Sequence, residues 1–329
     1  MPKSLARRAV LVGAALASAA LASSAGAQDK ITLRLSSPAS ATDQRAVALT
    51  EVFAPAVADF ANFEGHWNAS LFKQGTELEA IARGNLEMSI TSAQELAVFF
   101  PEFSIFTAGY LHRDAAHQVA VFNSELMDPF KQKVEEELGV KLLTVMYLGR
   151  RHLNLRGDKK IMTPADLEGV KLRMPGTDAW QFLGQALGAN PTPMAFTEVY
   201  TGLQTGAIDG QDNPLPTDKD SKFYEVTDQI VLTSHLVDLN YLAISNELFD
   251  SLTPEQQATI QKAADDAAES ARQKQLALED ELILFFKEQG LDVYEPDIDA
   301  FRSHVQQMYL ESEYANDWPE GLVDQINAL

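Results

Sequence analysis

The sequence predicts an α/β protein built from two domains. Apolar strand-like runs alternate with helical stretches along most of the chain, which is typical of a mostly parallel sheet covered by helices. The chain has 329 residues, of which 46% are hydrophobic and 22% charged, a composition and length that suit a globular protein of two domains. Two further observations, a pair of very long apolar strand candidates and one very long helix, indicate how the two domains are joined.

The first 27 residues predict a signal peptide rather than part of the fold. Lys3, Arg7 and Arg8 precede an apolar run over residues 9–22, and Ala25-Gly26-Ala27 has the small-x-small pattern of a cleavage site. We expect export to the periplasm and cleavage after Ala27. An uncleaved membrane anchor is disfavoured because the run is shorter than about 18 residues. The Arg7-Arg8 pair leaves both the general and the twin-arginine export routes open.

The next segment begins the alternation of strands and helices. The run ITLRLS from Ile31 alternates as a strand does, and the Ala, Val and Phe pattern from Asp43 to Asn62 predicts a helix. The alternation continues with strands predicted at 65–72, 88–91 and 141–148 and with helices predicted at 76–83 and 117–138.

Two strand candidates are long enough to belong to both domains. They cover residues 141–156 and 229–245. If each passes from one domain into the other, the segment between them folds as a second domain inserted into the first, and the two crossings form a hinge beside a cleft. The expected division is domain I at 28–151 and 236–329, with the C-terminal helices, and domain II at 152–235.

A long brace helix is predicted after the second crossing. Thr253 has the character of an N-cap, Pro254 suits the first helical position, and Gln256 completes a capping box. The helical pattern continues to Gly290 with a broad apolar stripe, so the helix is expected to lie across both domains.

Composition and motifs exclude several classes of function. The chain has no cysteine, which excludes disulfides, zinc-thiolate sites and thiol nucleophiles. Without the three basic residues of the signal segment, 23 Lys and Arg face 47 Asp and Glu, a formal charge of −24 that disfavours nucleic acid as a partner. No catalytic or nucleotide-binding motif occurs and the six histidines do not cluster, so we expect no cofactor, no metal and no enzymatic activity.

Anion binding has more support. Arg173 lies in a strand-like run that stops at Met-Pro-Gly, and a buried guanidinium is costly unless an anion meets it. Arg151, which follows a long strand, could converge with Arg173 on one carboxylate; structural pairing of both arginines with acidic residues is an equally open alternative. Asn213 supplies an amide, Phe196 could cover a ligand, and Thr197 would cap a following helix.

Three stretches, KLRMP, PTPMAFTEVYTGLQTGAIDGQDNP and KFYEVTDQIVLTSHL, resemble the DctP family of periplasmic solute-binding proteins, the receptors of tripartite ATP-independent periplasmic (TRAP) transporters. The resemblance implies a two-domain clamshell with hinge strands and a brace helix, a small organic acid as ligand, and TRAP membrane subunits as partners of a monomeric receptor. It implies that Arg173 pairs with the ligand carboxylate and that Arg151 assists, with Arg150 as a less favoured substitute. Asn213 would complete the polar contacts and Phe196 would line the site.

The chain departs from the sialic-acid receptors of that family on the domain I side. They carry an acidic residue after the strand that here reads Met88-Ser-Ile-Thr-Ser, and Ser92 lies there instead. With Lys73, Gln74 and Asn154, this serine suits a hydroxylated acid, so a uronate or an aldonate is expected; a solvent-facing Lys73 is equally compatible. C4-dicarboxylates, aromatic or 2-oxo acids and small phosphate esters stay open, as do an exported enzyme for an anionic substrate and a partner of a signalling receptor.

Overall fold

The computed structural model describes residues 30–329, so the predicted signal peptide lies outside the described residues. Within this part of the chain nine strands form one mixed sheet. In chain order they are β1 (Ile31–Ser36), β2 (Ala61–His66), β3 (Met88–Ser92), β4 (Val140–Leu155), β5 (Lys171–Met174), β6 (Asn190–Pro193), β7 (Gly210–Pro214), β8 (Gln229–Ser245) and β9 (Asp292–Tyr294).

The helices lie between and after the strands, and none of those described is long and apolar enough to cross a membrane. They are α1 (Gln44–Ala48), α2 (Ala54–Val57), α3 (Glu77–Ala82), α4 (Ala93–Leu96), α5 (Ala115–Asn123), α6 (Asp128–Lys133), α7 (Asp178–Ala186), α8 (Val199–Thr205), α9 (Leu215–Asp220), α10 (Asn246–Asp250), α11 (Pro254–Glu288), α12 (Ile298–Leu310), α13 (Tyr314–Asp317) and α14 (Leu322–Ala328). A π-helical segment, Leu49–Phe53, joins α1 to α2, and a second, Val134–Leu138, extends α6.

The two long strands β4 and β8 occupy the centre of the sheet and serve both of its halves. The strand order is β2-β1-β3-β8-β4-β7-β5-β6, with β9 also paired to β8. One end of β8 pairs with β3 and the other end pairs with β9. The strand reaches both because its 17 residues extend about 55 Å. The predicted long strands are therefore confirmed. We call the part that carries β1–β3 lobe I and the part that carries β5–β7 and β9 lobe II.

The pairing between β4 and β8 breaks where the chain passes from one lobe to the other. Arg151 pairs with Leu236 and Leu153 with Val231, so residues 232–235 of β8 have no partner in β4. Ser234 in this segment has a positive φ of 46°. Because ladder hydrogen bonds are missing here, the sheet is least constrained between the lobes. The expected domain boundaries, 151/152 and 235/236, fall at this break.

The brace helix α11 packs against both lobes. Thr253 Oγ1 accepts from the N–H of Gln256, whose side chain accepts from the Thr253 N–H, so the predicted capping box is confirmed. The first half of α11 buries Ile260 and a row of alanines against the core of lobe I, and the second half buries Leu282 and Phe286 against Leu215, Ile230 and Val293. The small alanine side chains let the helix lie close to the sheet.

Three predicted elements differ from the observed ones. The helix expected from Asp43 to Asn62 ends at Val57, and residues 61–62 already belong to β2. The strand expected at 65–72 is β2, Ala61–His66, because Asn68 and Ala69 both adopt a positive φ and end the extended chain early. The helix expected at 117–138 starts at Ala115, capped by Asp114, and is interrupted at Ser124, which has an extended backbone. The C-terminal helices contact both lobes, since α12 packs on α7 and α13 on the 3-10 turn Pro101–Thr107.

Candidate functional site

An interlobe cavity that is open to solvent lies between the two lobes. Its lobe I wall comes from the loop after β1, the turn before α3, and the end of β3 with α4; its lobe II wall comes from β5, β7 and the helices that follow them. Six of the eight residues predicted as a binding site line this cavity: Arg173, Arg151, Asn213, Phe196, Gln74 and Ser92. The fold therefore brings together residues that are more than 130 positions apart in the sequence.

Arg173 is a buried cation without a carboxylate partner among the described residues. It lies on β5, is 1% exposed, and no Asp or Glu oxygen of residues 30–329 lies within 4.0 Å of its guanidinium. Its Nε donates to the Met194 carbonyl at 2.9 Å, and Nη2 reaches Gln74 Oε1 at 3.5 Å. Burial lowers the pKa of Arg173 to about 9, although the more distant Asp212 opposes this. The group stays protonated at neutral pH and has N–H donors left for an anion.

Arg151 lines the same cavity but already has two acidic partners. Its Nε donates to Asp238 Oδ2 at 2.7 Å, and its Nη1 lies 3.2 Å from Asp212 Oδ2. Burial alone would lower the pKa of Arg151, but the two carboxylates outweigh it and raise that pKa above its ordinary value. The guanidinium also lies over the Trp180 ring, 4.5 Å from its centroid. Arg151 is thus charge-compensated in a way that Arg173 is not.

Asn213 is oriented by a buried chain of side chains. Its Nδ2 donates to Gln211 Oε1, and Gln211 Nε2 in turn donates to Asp218 Oδ1 at 2.7 Å. Asp218 is fully buried, which raises the pKa of its carboxyl well above the usual range. This chain occupies one N–H of Asn213 and leaves the other N–H and the carbonyl oxygen for the cavity.

Gln74 and Phe196 close one side of the cavity. Gln74 Oε1, on lobe I, accepts from the backbone N–H of Phe196, on lobe II, at 3.0 Å. The Phe196 ring lies 5.8 Å from the guanidinium carbon of Arg173. The expectation that Thr197 caps a helix here is wrong. The chain first forms a 3-10 turn, Phe196–Glu198, stabilised by the Glu198 side chain on the Ala195 N–H, and α8 starts only at Val199.

The other predicted site residues are placed differently. Ser92 lines the cavity and its Oγ accepts from the Glu95 N–H at 3.1 Å, so it also caps α4. Lys73 is exposed and does not line the cavity. Asn154 is fully buried behind it, where its Nδ2 donates to Thr227 Oγ1 and to the Gln229 carbonyl.

The sequence interpretation missed an ion pair on the lobe I wall. Asp43 caps α1 and accepts from Arg45 at both carboxylate oxygens, at 2.9 and 2.7 Å, while Arg45 Nη1 donates to Asn240. The available signal was the serine-rich loop SSPASATD between the end of β1 and this helix. Strand-to-helix loops of this kind often carry binding residues in α/β folds.

Two acidic residues on the cavity wall were also missed. Glu95 follows Ser92 by one helical turn, so lobe I does present a carboxylate to the cavity although Ser92 itself is not acidic. Asp220, at the end of α9, faces it from lobe II. Burial and the nearby Asp43 raise the pKa of Asp220 to about 6.

Comparison with known proteins places this geometry among periplasmic receptors. The family model of bacterial extracellular solute-binding proteins, family 7 (DctP), matches residues 58–316. A TRAP periplasmic solute-binding protein of Roseobacter denitrificans, solved with bound 3-deoxy-D-manno-oct-2-ulosonic acid, is 69% identical with a TM-score of 0.90 over 91% of this chain and 99% of its own. A second protein of that organism, solved with L-galactonate, is 28% identical with a TM-score of 0.81 over 91% of this chain and 98% of its own. The sialic acid-binding periplasmic protein SiaP of Vibrio cholerae is 31% identical over 74% of this chain and 75% of its own.

Proposed function

Since this chain belongs to the DctP family of bacterial extracellular solute-binding proteins, we propose that its ligand is a monocarboxylic sugar acid of the eight-carbon 3-deoxy-oct-2-ulosonic type. Members of the family are receptors for TRAP membrane subunits and not enzymes, so the chain is a TRAP solute receptor. The proposal refines the expected uronate or aldonate within the same class of sugar acids. The ligand of the relative that is 69% identical supports this refinement.

The observation that carries the proposal is the unpaired, buried Arg173. A ligand carboxylate placed against its free N–H groups supplies the counter-ion that the described residues do not. Two parallel N–H donors match the two oxygens of one carboxylate, which is the strongest geometry for such a pair. We assign Asn213 to a polar contact with the same end of the ligand, and Phe196 and Trp180 to apolar contacts with its carbon chain.

The charges of the cavity favour one anionic group rather than two. Arg45 and Arg151, the other two lining arginines, already have carboxylate partners. The remaining ionisable groups on the wall are acidic. They would repel a second carboxylate or a phosphate of the ligand, and no further arginine among the described residues of the wall is free to compensate its charge. Hydroxyl groups, in contrast, can donate to these acids. This disfavours C4-dicarboxylates and phosphate esters, and it also disfavours 2-oxo acids that lack hydroxyls.

The roles of the other predicted residues follow from their positions. We assign Arg151 to shaping the floor of the site through its pairs with Asp212 and Asp238, with a contact to the ligand as a secondary role. Gln74 and Ser92 contact the ligand from lobe I. Asn154 supports the wall from outside the cavity, and the exposed Lys73 has no contact with the ligand.

The cellular setting belongs to the same proposal. The mature receptor begins after Ala27, is located in the periplasm, and binds its ligand as a monomer. Domain II comprises residues 152–235, to which the C-terminal segment adds β9, and it closes on domain I, residues 28–151 and the rest of 236–329, by rotation about β4 and β8.

Isothermal titration calorimetry with purified mature protein tests the ligand. The panel contains 3-deoxy-D-manno-oct-2-ulosonic acid, L-galactonate, D-galacturonate, succinate and glycerol 3-phosphate. We expect the eight-carbon acid to bind most tightly and the two dianions not to bind. A tighter Kd for succinate or glycerol 3-phosphate than for every sugar acid would refute the single-carboxylate assignment.

A further inference from the structure

Glu95 has two carboxylate oxygens in different surroundings. Its Oε2 accepts from Thr91 Oγ1 at 3.0 Å and from the Ser92 N–H at 2.9 Å. Its own N–H donates to Ser92 Oγ at 3.1 Å, which completes a capping box at the start of α4. These reciprocal bonds hold the side chain in one orientation.

The second oxygen, Oε1, is left as an acceptor at the cavity. It carries no hydrogen bond from residues 30–329 and is not enclosed by them, and Glu95 lines the cavity wall. The cation on the same wall, Arg45, is occupied by Asp43 and Asn240. A carboxyl oxygen is a hydrogen-bond acceptor, so a donor from the ligand or from water can satisfy Oε1.

The cavity has an uncompensated cation, Arg173, on the lobe II wall and a carboxylate, Glu95, on the lobe I wall. The charged groups that act on Arg173 are Asp212, Arg151 and Glu198. Burial raises the pKa of Glu95, and the neighbouring acids Glu77 and Asp238 raise it further. Because Arg173 lines the cavity from lobe II and Glu95 lines it from lobe I, a ligand whose carboxylate is bound at Arg173 faces Glu95 on the opposite wall.

We propose that Glu95 is a specificity-determining residue that accepts a hydrogen bond from a hydroxyl of the ligand remote from its carboxylate. The inference rests on the proposed sugar-acid function and adds the group that distinguishes long polyhydroxylated acids from short or deoxygenated ones. A ligand with no hydroxyl at that position leaves a desolvated carboxylate oxygen unpaired. Sites built in this way reject analogues that lack the hydroxyl much more strongly than apolar pockets reject a size difference.

Glu95→Gln tests this role with little disturbance of the fold. Glutamine also forms capping boxes, so its carbonyl oxygen can keep the bonds from Thr91 and Ser92 while an NH₂ donor replaces Oε1. Glu79→Gln, on the exposed face of α3, is the matched control for loss of one negative charge. Calorimetry measures Kd for 3-deoxy-D-manno-oct-2-ulosonic acid and for acids with successively fewer chain hydroxyls, ending at glycerate.

We expect Glu95→Gln to raise the Kd for the eight-carbon acid by about 10- to 100-fold, since a hydrogen bond to a charged group is lost. The ratio of the variant Kd to the wild-type Kd should fall toward 1 as hydroxyls are removed, and Glu79→Gln should match the wild type. If thermal unfolding shows that Glu95→Gln is destabilised, Glu95→Asp is used in its place. Its shorter side chain keeps the charge but moves the carboxylate oxygen away from the cavity, so it should also weaken the binding of the long acids.

Wild-type affinity of the variant for the eight-carbon acid overturns the inference. An equal loss across the whole series also overturns it, because Glu95 would then act on lobe closure or on the carboxylate end. Failure of the proposed function is recognised separately in the wild-type titrations, where none of the sugar acids would bind, and the inference fails with it.

Discussion

Gln74 and Phe196 connect the two lobes through one hydrogen bond, in which Gln74 Oε1 accepts from the Phe196 N–H at 3.0 Å. The same oxygen lies 3.5 Å from Nη2 of Arg173. A lobe I side chain therefore contacts both the backbone of Phe196 and the cation that we propose to bind the ligand carboxylate. We therefore expect closure of the lobes and retention of the ligand to be coupled, because loss of the Gln74 contact affects both.

Gln74→Ala should weaken binding mainly through faster release. One lost neutral hydrogen bond predicts an increase in Kd of about 2- to 12-fold, with most of the change in the dissociation rate. Stopped-flow or surface plasmon resonance measures that rate. The control is Lys73→Ala, the exposed neighbour outside the cavity, which should leave both rate constants unchanged. A Lys73 variant with a larger loss than the Gln74 variant would restore the expectation that Lys73 contacts the ligand.

Arg173→Lys should damage binding nearly as much as Arg173→Ala. The ammonium keeps the charge but does not present two parallel N–H donors to one carboxylate. Loss of one partner from a buried charge pair costs about 2–5 kcal/mol, which corresponds to some 30-fold to several thousand-fold in Kd. Calorimetry on both variants, with circular dichroism as the folding control, measures this. A folded Arg173→Lys protein with wild-type affinity would show that the carboxylate is held elsewhere.

Arg151 and Arg173 should differ in their effect on the stability of the ligand-free protein. Arg151→Met leaves Asp212 and Asp238 buried without their cation and should destabilise by about 3–5 kcal/mol. Arg173→Met removes a buried cation with no carboxylate partner among the described residues, so the ligand-free melting temperature should be unchanged or higher. Differential scanning calorimetry of both variants decides this, and an equal fall in melting temperature would mean that Arg173 is a structural ion-pair member.

The architecture, and the position of Arg173 at the interlobe cavity, could be predicted from the sequence because their signals are local. The apolar runs that became β4 and β8, and the capping box of α11, lie within short windows. Arg173 can be identified in the same way, because a charged residue between the apolar residues of a predicted strand is conspicuous within a few positions of sequence.

The partners across the fold could not be predicted, because they depend on distances between segments far apart in the chain. Arg151 and Asp238 are 87 positions apart, and nothing near either residue indicates their pairing. Glu95 looks like one acid among 47, and only the position of α4 at the cavity distinguishes it. Asn154 shows the converse, since its polar side chain suggested a contact with the ligand while its amide donates to Thr227 and Gln229.

Glu77 should make the stability of the protein decrease as pH rises. It is 4% exposed at the start of α3, and burial together with the charge of Glu95 raises the pKa of its carboxyl from 4.5 to about 8. The native state then binds more protons than the unfolded chain between these two values. Stability contributed by the protonated group is complete below about pH 4.5 and is lost progressively toward pH 8.

Glu77→Gln should remove this pH dependence, because the glutamine amide does not ionise and buries no charge. In the wild type the Thr76 N–H donates to Glu77 Oε2 at 3.0 Å, and the amide oxygen of glutamine can accept the same hydrogen bond. We expect the variant to melt several degrees above the wild type at pH 8 and close to it at pH 5. The control Glu79→Gln, on the exposed side of the same helix, should follow the wild-type curve at both values. Melting curves of the three ligand-free proteins between pH 5 and 8 measure the difference, and a Glu77→Gln curve parallel to that of the wild type would show that Glu77 is ionised throughout this range.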